Sequence, residues 1–241
     1  MPADTNGADT IATNVGRVQD RIALAALRAG REPSSIRLIA VSKKFATQTA
    51  RAAVTAGLVD LGENRVQEAV QKMDAINAEG RLPITWHLIG HLQSNKARKA
   101  ALAFNWIHSV DSLALLTRLE DAAQAAETAP KLLVQVDLAR EATKHGASVN
   151  ETRRILDAAR ECTAVTMCGL MVLPPWSTDA EQARPFFARL RELRDSLIRD
   201  GVDPQMLGEL SMGMSNDFEV AIEEGSTIVR VGRAIFGARP H

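Results

Sequence analysis

The chain has 241 residues, with 29 basic and 29 acidic side chains, no formal net charge at pH 7 and 46% hydrophobic residues. This is a soluble globular composition, and it argues against disorder and against a protein that works by gripping nucleic acid or an anionic membrane surface. No apolar run approaches the ~18 residues of a membrane span. The start carries Asp4 and Asp9 in place of a basic-then-apolar signal. Two cysteines, Cys162 and Cys168, are too few for a disulfide framework and point to a reducing cytoplasm. The chain has no Tyr, so any mechanism that needs a tyrosine hydroxyl from it is excluded.

Met1 to Thr13 reads as a polar, flexible start. Val15, Val18, Ile22, Leu24 and Leu27 then recur at helical spacing and Gly30 ends the run, which predicts a covering helix. From Ile36 onward, short apolar strands alternate with amphipathic helices. Strands are predicted at Arg37–Ser42, Val59–Gly62, Thr85–Gly90, Trp106–Val110, Leu132–Asp137, Val165–Val172, Met206–Ser211 and Thr227–Gly232. Helices are predicted at Thr47–Ala56, Arg65–Ala78, Ser112–Ala126, Glu151–Arg160, Asp179–Arg199 and Asp217–Glu224, with Leu113, Leu116 and Leu119 facing the core. Such alternation implies parallel strands with crossover helices. Eight strands over this length predict a closed (β/α)8 barrel of the TIM type, a single α/β domain over residues 1–241 with an extra N-terminal helix. An open doubly wound sheet is the runner-up, weakened because no G-x-G-x-x-G follows the first strand.

In such barrels the chemistry sits at the carboxyl ends of the strands, and the loops after the last two often hold a phosphate. Those ends offer Ser42-Lys43-Lys44, Gly62-Glu63-Asn64, Gly90-His91, Asp111, Asp137, Ser211-Met212-Gly213 and Gly232-Arg233. Strand parity groups Ile39, Val41 and Lys43 on one face and favours Lys43 over Lys44 for the interior, against a solvated lysine pair as the other reading. Desolvation of an inward lysine frees its amine to attack a carbonyl. Leu210 to Asp217 reads as strand, turn and helix, with Ser215 or Asn216 at the N-cap. With the Gly232-Arg233 turn it forms a candidate phosphate cradle. Arg230 lies within the eighth strand and needs a partner, either an acidic core residue or a ligand acceptor. A lysine amine, a phosphate cradle and an arginine between them describe a pocket for pyridoxal 5'-phosphate (PLP).

The blocks Ala40-Val41-Ser42-Lys43, Gly62-Glu63-Asn64-Arg65-Val66-Gln67-Glu68, Trp86-His87-Leu88-Ile89-Gly90-His91-Leu92-Gln93-Ser94-Asn95-Lys96, Leu210-Ser211-Met212-Gly213-Met214-Ser215 and Val229 to Gly237 resemble the pyridoxal phosphate homeostasis protein family. The resemblance implies a single barrel related to the PLP domain of alanine racemase. It places the Schiff-base lysine on Lys43 and Arg230 against the pyridine nitrogen. It implies phosphate contacts from Ser211, Met212, Gly213, Ser215, Gly232 and Arg233, with Asn64 beside the ring. The family often has Ser or Thr where this chain has Arg233, which leaves a backbone contact to phosphate and no hydroxyl.

Other residues carry competing readings. His87 and His91 straddle a strand end without an H-E-x-x-H, so they are read as polar mouth residues and no metal is expected. Lys96 is read as a surface helix-start residue and Lys144 as a solvated loop residue, each with a secondary PLP contact as its alternative. Glu63 and Asp137 are candidate bases or partners of lysines and helix caps. Cys162 and Cys168 are read as reduced thiols, one of them buried in strand six.

An arginine cannot take up the proton that PLP enzymes use to make the ring an electron sink. With no tyrosine for a second base, the residues describe a holder of PLP. The resemblance implies intracellular PLP homeostasis with transient contact to PLP-dependent apoenzymes; composition sets this in the cytoplasm without nucleic acid or membrane, and a monomer is expected. The alternatives are a weak PLP-dependent amino-acid racemase or lyase, and a Schiff-base aldolase without PLP.

Overall fold

The computed structural model describes residues 5–80, 82–139 and 145–238. Eight parallel strands close into a barrel in sequence order: β1 (Arg37–Val41), β2 (Asp60–Glu63), β3 (Thr85–Leu88), β4 (Trp106–Val110), β5 (Lys131–Gln135), β6 (Thr166–Met171), β7 (Glu209–Met214) and β8 (Ile228–Val231). The seam is closed by β1 against β8, with Ile39 opposite Arg230 and Ala40 opposite Val231. Around it run α1 (Thr5–Arg28), α2 (Thr47–Thr55), α3 (Val66–Ala78), α4 (Ala97–Ala103), α5 (Leu113–Ala126), α6 (Val149–Ala159), α7 (Arg184–Arg199), α8 (Phe218–Glu223) and α9 (Arg233–Phe236). None of the described helices is long and apolar enough to cross a membrane. This is the predicted (β/α)8 barrel, and it replaces the open-sheet alternative.

Strand alternation produces two cores. Outward residues such as Ala40, Leu61, Leu132 and Leu170 pack under the helices in one large apolar shell. Inward residues Ile39, Trp106, Leu133, Met171 and Ile228 form a small cluster inside the barrel. Helix α1 covers the flank formed by α8 and α9. Asn14 Nδ2 donates to the Ile235 carbonyl at 3.0 Å, and Arg21 pairs with Glu219 at 2.8 Å. The helix begins at Thr5, inside the stretch expected to be flexible. Its apolar stripe is shorter than the spacing predicts, since Leu24 and Leu27 are exposed.

Three elements depart from expectation. Helix α4 escapes the periodicity because its buried face consists of Ala97, Ala100 and Ala101, which make a faint stripe. Strand β7 starts three residues late and runs on to Met214, because Pro204 opens a 3-10 turn over Pro204–Leu207 that Asp203 caps. The N-cap of α8 is Asp217, and neither Ser215 nor Asn216 occupies it.

Backbones approach closely at Gly169, where a Cβ would lie 1.9 Å from the Glu209 carbonyl oxygen of the paired strand. Gly169→Ala should therefore part β6 from β7 and cost more than about 3 kcal/mol, read as a lowered urea midpoint.

A second device joins α5 to the entrance of β6. Burial raises the Glu120 carboxyl, but the N–H groups of Thr163, Val165 and Ala164 outweigh it and hold the pKa at about 2, against 4.5 ordinarily. The sign follows from linkage: the folded value lies below the unfolded one, so this stabilisation is fully present above pH 4.5 and is lost as the pH falls towards 2. Glu120→Gln should be less stable than wild type at pH 7, and urea melts should show the gap narrowing across that acid window.

Candidate functional site

A cavity of about 430 Å³ opens at the carboxyl end of the barrel. Val41 and Lys43 line it, while Ser42 between them is turned away and fully buried, so the alternation of β1 continues past its last residue. Lys43 is half-buried and Lys44 exposed. The chain reverses there in a turn closed by the Phe45 N–H on the Ser42 carbonyl at 3.1 Å, with Lys44 at φ 65°. That left-handed conformation is uncommon for a residue with a Cβ, and it sends the two lysines in different directions.

A buried polar cluster stands behind this turn. Lys72, on α3, donates to the same Ser42 carbonyl at 2.7 Å and is ion-paired with Glu63 at the end of β2. Ser42 Oγ donates to Glu63 Oε1 at 2.7 Å. Of the two roles open to Glu63, the structure therefore shows the lysine partner. Spacing alone hides the pair, because Lys72 lies on the buried face of an otherwise ordinary helix.

Arg230 lines the cavity and is 3% exposed. Its partners are neutral: Nη1 donates to Ser211 Oγ at 2.6 Å and Nη2 to the Val172 carbonyl at 3.0 Å. Burial lowers its pKa to about 10, with the Asp217 charge opposing. It is therefore still cationic at neutral pH, and its charge faces the cavity without an ion-paired carboxylate among the described residues.

From Arg230 a hydrogen-bonded chain runs through the barrel interior. Ser211 Oγ lies 2.9 Å from His108 Nδ1, His108 Nε2 lies 3.1 Å from His87 Nδ1, and His87 Nε2 lies 2.8 Å from Asp60 Oδ1. Burial is the main cause that lowers both histidine pKa values, that of His108 well below the ordinary range. Desolvation raises the Asp60 carboxyl, but His87 and Arg37 outweigh it and leave it lowered. Two neutral imidazoles between a guanidinium and a carboxylate satisfy every link in one sense: Arg230 to Ser211 to His108 to His87 to Asp60. Each imidazole then carries its proton on Nε2. His87 is thus part of this chain and not of the mouth.

The far wall of the cavity includes Ser215, Gly232 and Arg233. Ser215 Oγ accepts from the N–H groups of Gly232 at 3.2 Å and Ala234 at 3.4 Å, so two backbone donors converge on one small space. Asn64 also lines the cavity, and its buried Oδ1 has no hydrogen-bond partner in the protein. Ser211, expected at the end of the seventh strand, and Met212 and Gly213, expected in the turn after it, all lie within β7, and none of these three proposed phosphate contacts lines the cavity. Ser211 supports Arg230, Met212 packs in the outer shell, and Gly213 combines φ 94° with a Cβ position only 2.6 Å from Ala221, each of which excludes a side chain. Leu173, Pro175 and Trp176 after β6 supply an apolar wall that spacing did not single out.

The remaining candidates fall elsewhere. Lys96 sits at the N-cap of α4, away from the cavity, and Lys144 lies outside the described residues. The Asp137 carboxylate accepts from the Ala139 N–H. Both thiols are reduced, and Cys168 on β6 is half-buried where full burial was expected. Burial raises both thiol pKa values, Cys162 to about 11, so neither is a ready nucleophile.

Three comparisons bear on this geometry. Residues 13–240 match the family model described as alanine racemase, N-terminal domain. The pyridoxal phosphate homeostasis protein of Pseudomonas aeruginosa is 41% identical over 232 residues, covering 96% of this chain and 97% of that one. The solved structure of PipY from Synechococcus elongatus with PLP bound is 42% identical, with a TM-score of 0.79 over 91% of this chain and 100% of that one. A Clostridium difficile alanine racemase shares the fold at a TM-score of 0.72 but only 15% identity, and the match covers 58% of its length. With cavity, lysine and arginine framed by a barrel of this descent, the chain belongs to the pyridoxal phosphate homeostasis protein family, built on the alanine racemase N-terminal domain.

Proposed function

We propose that this protein binds PLP in the cavity at the barrel mouth and serves PLP homeostasis by holding the cofactor reversibly and supplying it. The observation that carries the reading is the pairing of a half-buried Lys43 in the turn just after β1 with a buried, neutrally partnered Arg230 on the adjacent β8, both opening into one cavity. The PLP-bound relative with a closely similar barrel supports it.

The residues fit the group. A volume of about 430 Å³ falls within the range of small-molecule sites. Asn64 Oδ1 waits for a donor, and the N–H groups of Gly232 and Ala234 with Ser215 Oγ are matched to phosphate oxygens. Bound there, PLP supplies an aldehyde carbon that condenses reversibly with a primary amine. Lys43 would provide that amine, held in its direction by the turn that Lys72 bonds. Arg230 would face the ring nitrogen and, being a cation, would leave that atom unprotonated. Ser211 and the histidine chain hold the guanidinium in place. Arg233 adds charge at the phosphate end in place of the hydroxyl common in the family.

These residues favour holding over carbanion chemistry. The chain has no tyrosine to act as a second base, and likeness to alanine racemases at 15% identity speaks for the fold alone. We read the protein as a cytoplasmic monomer that meets apoenzymes transiently. The test is titration with PLP, borohydride reduction and peptide mass mapping. A single modified residue at Lys43 is expected; modification at Lys44 or Lys96 alone, or none, overturns the reading.

A further inference from the structure

The cavity mouth carries a second cluster of polar side chains that PLP binding does not use. His91 follows β3, Asp111 follows β4 and His145 lies on the loop after β5, so three successive strands deliver one ligand-bearing residue each to the same point on the rim. His91 Nδ1 lies 3.4 Å from Asp111 Oδ2. The rings of His91 and His145 are stacked, with centroids 3.5 Å apart and planes 8° from parallel. One ligand atom from each of the three falls within 4.8 Å of the others.

The backbone around each residue is tied down. Gly90 brings His91 so close to β2 that a Cβ there would lie 2.3 Å from the Asn64 carbonyl oxygen. Asp111 immediately precedes Ser112, whose hydroxyl caps α5 by accepting the Leu115 N–H at 3.3 Å. The His145 carbonyl accepts from Gln135 Nε2 at 2.5 Å, and the Ala147 N–H bonds the Gln135 carbonyl at 2.8 Å. Gly146 between them has φ 153°, and a Cβ there would meet the Asp137 backbone nitrogen at 2.8 Å. The turn that presents His145 is therefore specific to this backbone.

We propose that His91, Asp111 and His145 bind a divalent transition-metal ion of the zinc class at the rim of the cavity. Two imidazole nitrogens and one carboxylate oxygen suit such an ion and not magnesium or calcium, which prefer all-oxygen shells. Three protein ligands leave a coordination position open to water or another oxygen donor. Because His91 also lines the cavity, the ion ties Asp111 and His145 to a residue of its wall. Sequence spacing paired His91 with His87, but His87 is buried in the interior chain; the partners of His91 come from the next two loops.

The test uses the full chain, stripped with a chelator and titrated with Zn2+ in a calorimeter, with Co2+ absorption as a second readout. One equivalent of Zn2+ is expected. His145→Ala and Asp111→Asn should each weaken it by at least about tenfold and abolish the Co2+ bands, with circular dichroism unchanged. Cys162→Ser and Cys168→Ser should leave binding intact. No stoichiometric binding, equal affinity in His145→Ala, or loss on removing the thiols overturns the proposal.

Discussion

Lys43→Ala protein mixed with PLP and reduced with borohydride should carry no covalent adduct at all, and the absorbance of the lysine-linked cofactor should vanish with it. Lys43→Arg should behave the same way, since a guanidinium keeps the charge but does not release a nucleophilic amine. Lys44→Ala, one residue away, should retain the adduct in full. The contrast is sharp because the turn at Ser42–Phe45, with Lys44 left-handed, points one lysine into the cavity and the other into solvent. Phosphate contacts from Ser215 and the Gly232 backbone should leave Lys43→Ala a weak, non-covalent affinity, measurable by equilibrium dialysis. Retention of the adduct in Lys43→Ala would overturn the assignment.

The second large effect is expected at Lys72, far from any surface chemistry. Lys72→Met leaves the Glu63 carboxylate buried with only Ser42 Oγ as partner, since Oε2 already has none. Removing one member of a buried ion pair costs about 3–5 kcal/mol, which for a chain of this size lowers Tm by about 6–20 °C. Glu63→Gln combined with Lys72→Met should recover part of that loss, because no buried charge is then left unpaired. The Ser42 carbonyl also loses a bond in Lys72→Met, so the folded variant should form its Lys43 adduct more slowly than wild type. Urea melts and stopped-flow absorbance measure the two consequences separately. Unchanged stability would mean that the pair contributes nothing net.

Much of this molecule is legible along the chain. The eight strands and most helices follow from apolar runs and helical stripes, and six of the nine proposed cofactor contacts line the cavity: Lys43, Asn64, Ser215, Arg230, Gly232 and Arg233. The misplacements have local causes. Met212 and Gly213 read as a turn after a strand ending at Ser211, yet β7 continues through them to Met214 with a register shift against β8. Helix α4 was invisible because alanines bury little apolar surface each.

Strand spacing and the residues at strand ends determined the barrel and favoured an inward lysine, because those depend on a period of two and on where each short strand stops; the assignment to Lys43 and the role of Arg230 came from the family resemblance of their sequence blocks. Closure decided the rest. Asp60, His87, His108, Ser211 and Arg230 meet only because β2, β3, β4, β7 and β8 face one narrow interior, and Lys72 meets Glu63 only because α3 packs back on β2. His91, Asp111 and His145 converge because three loops share one rim. Contacts of this kind are set by register and curvature between distant segments, which no one-dimensional pattern carries.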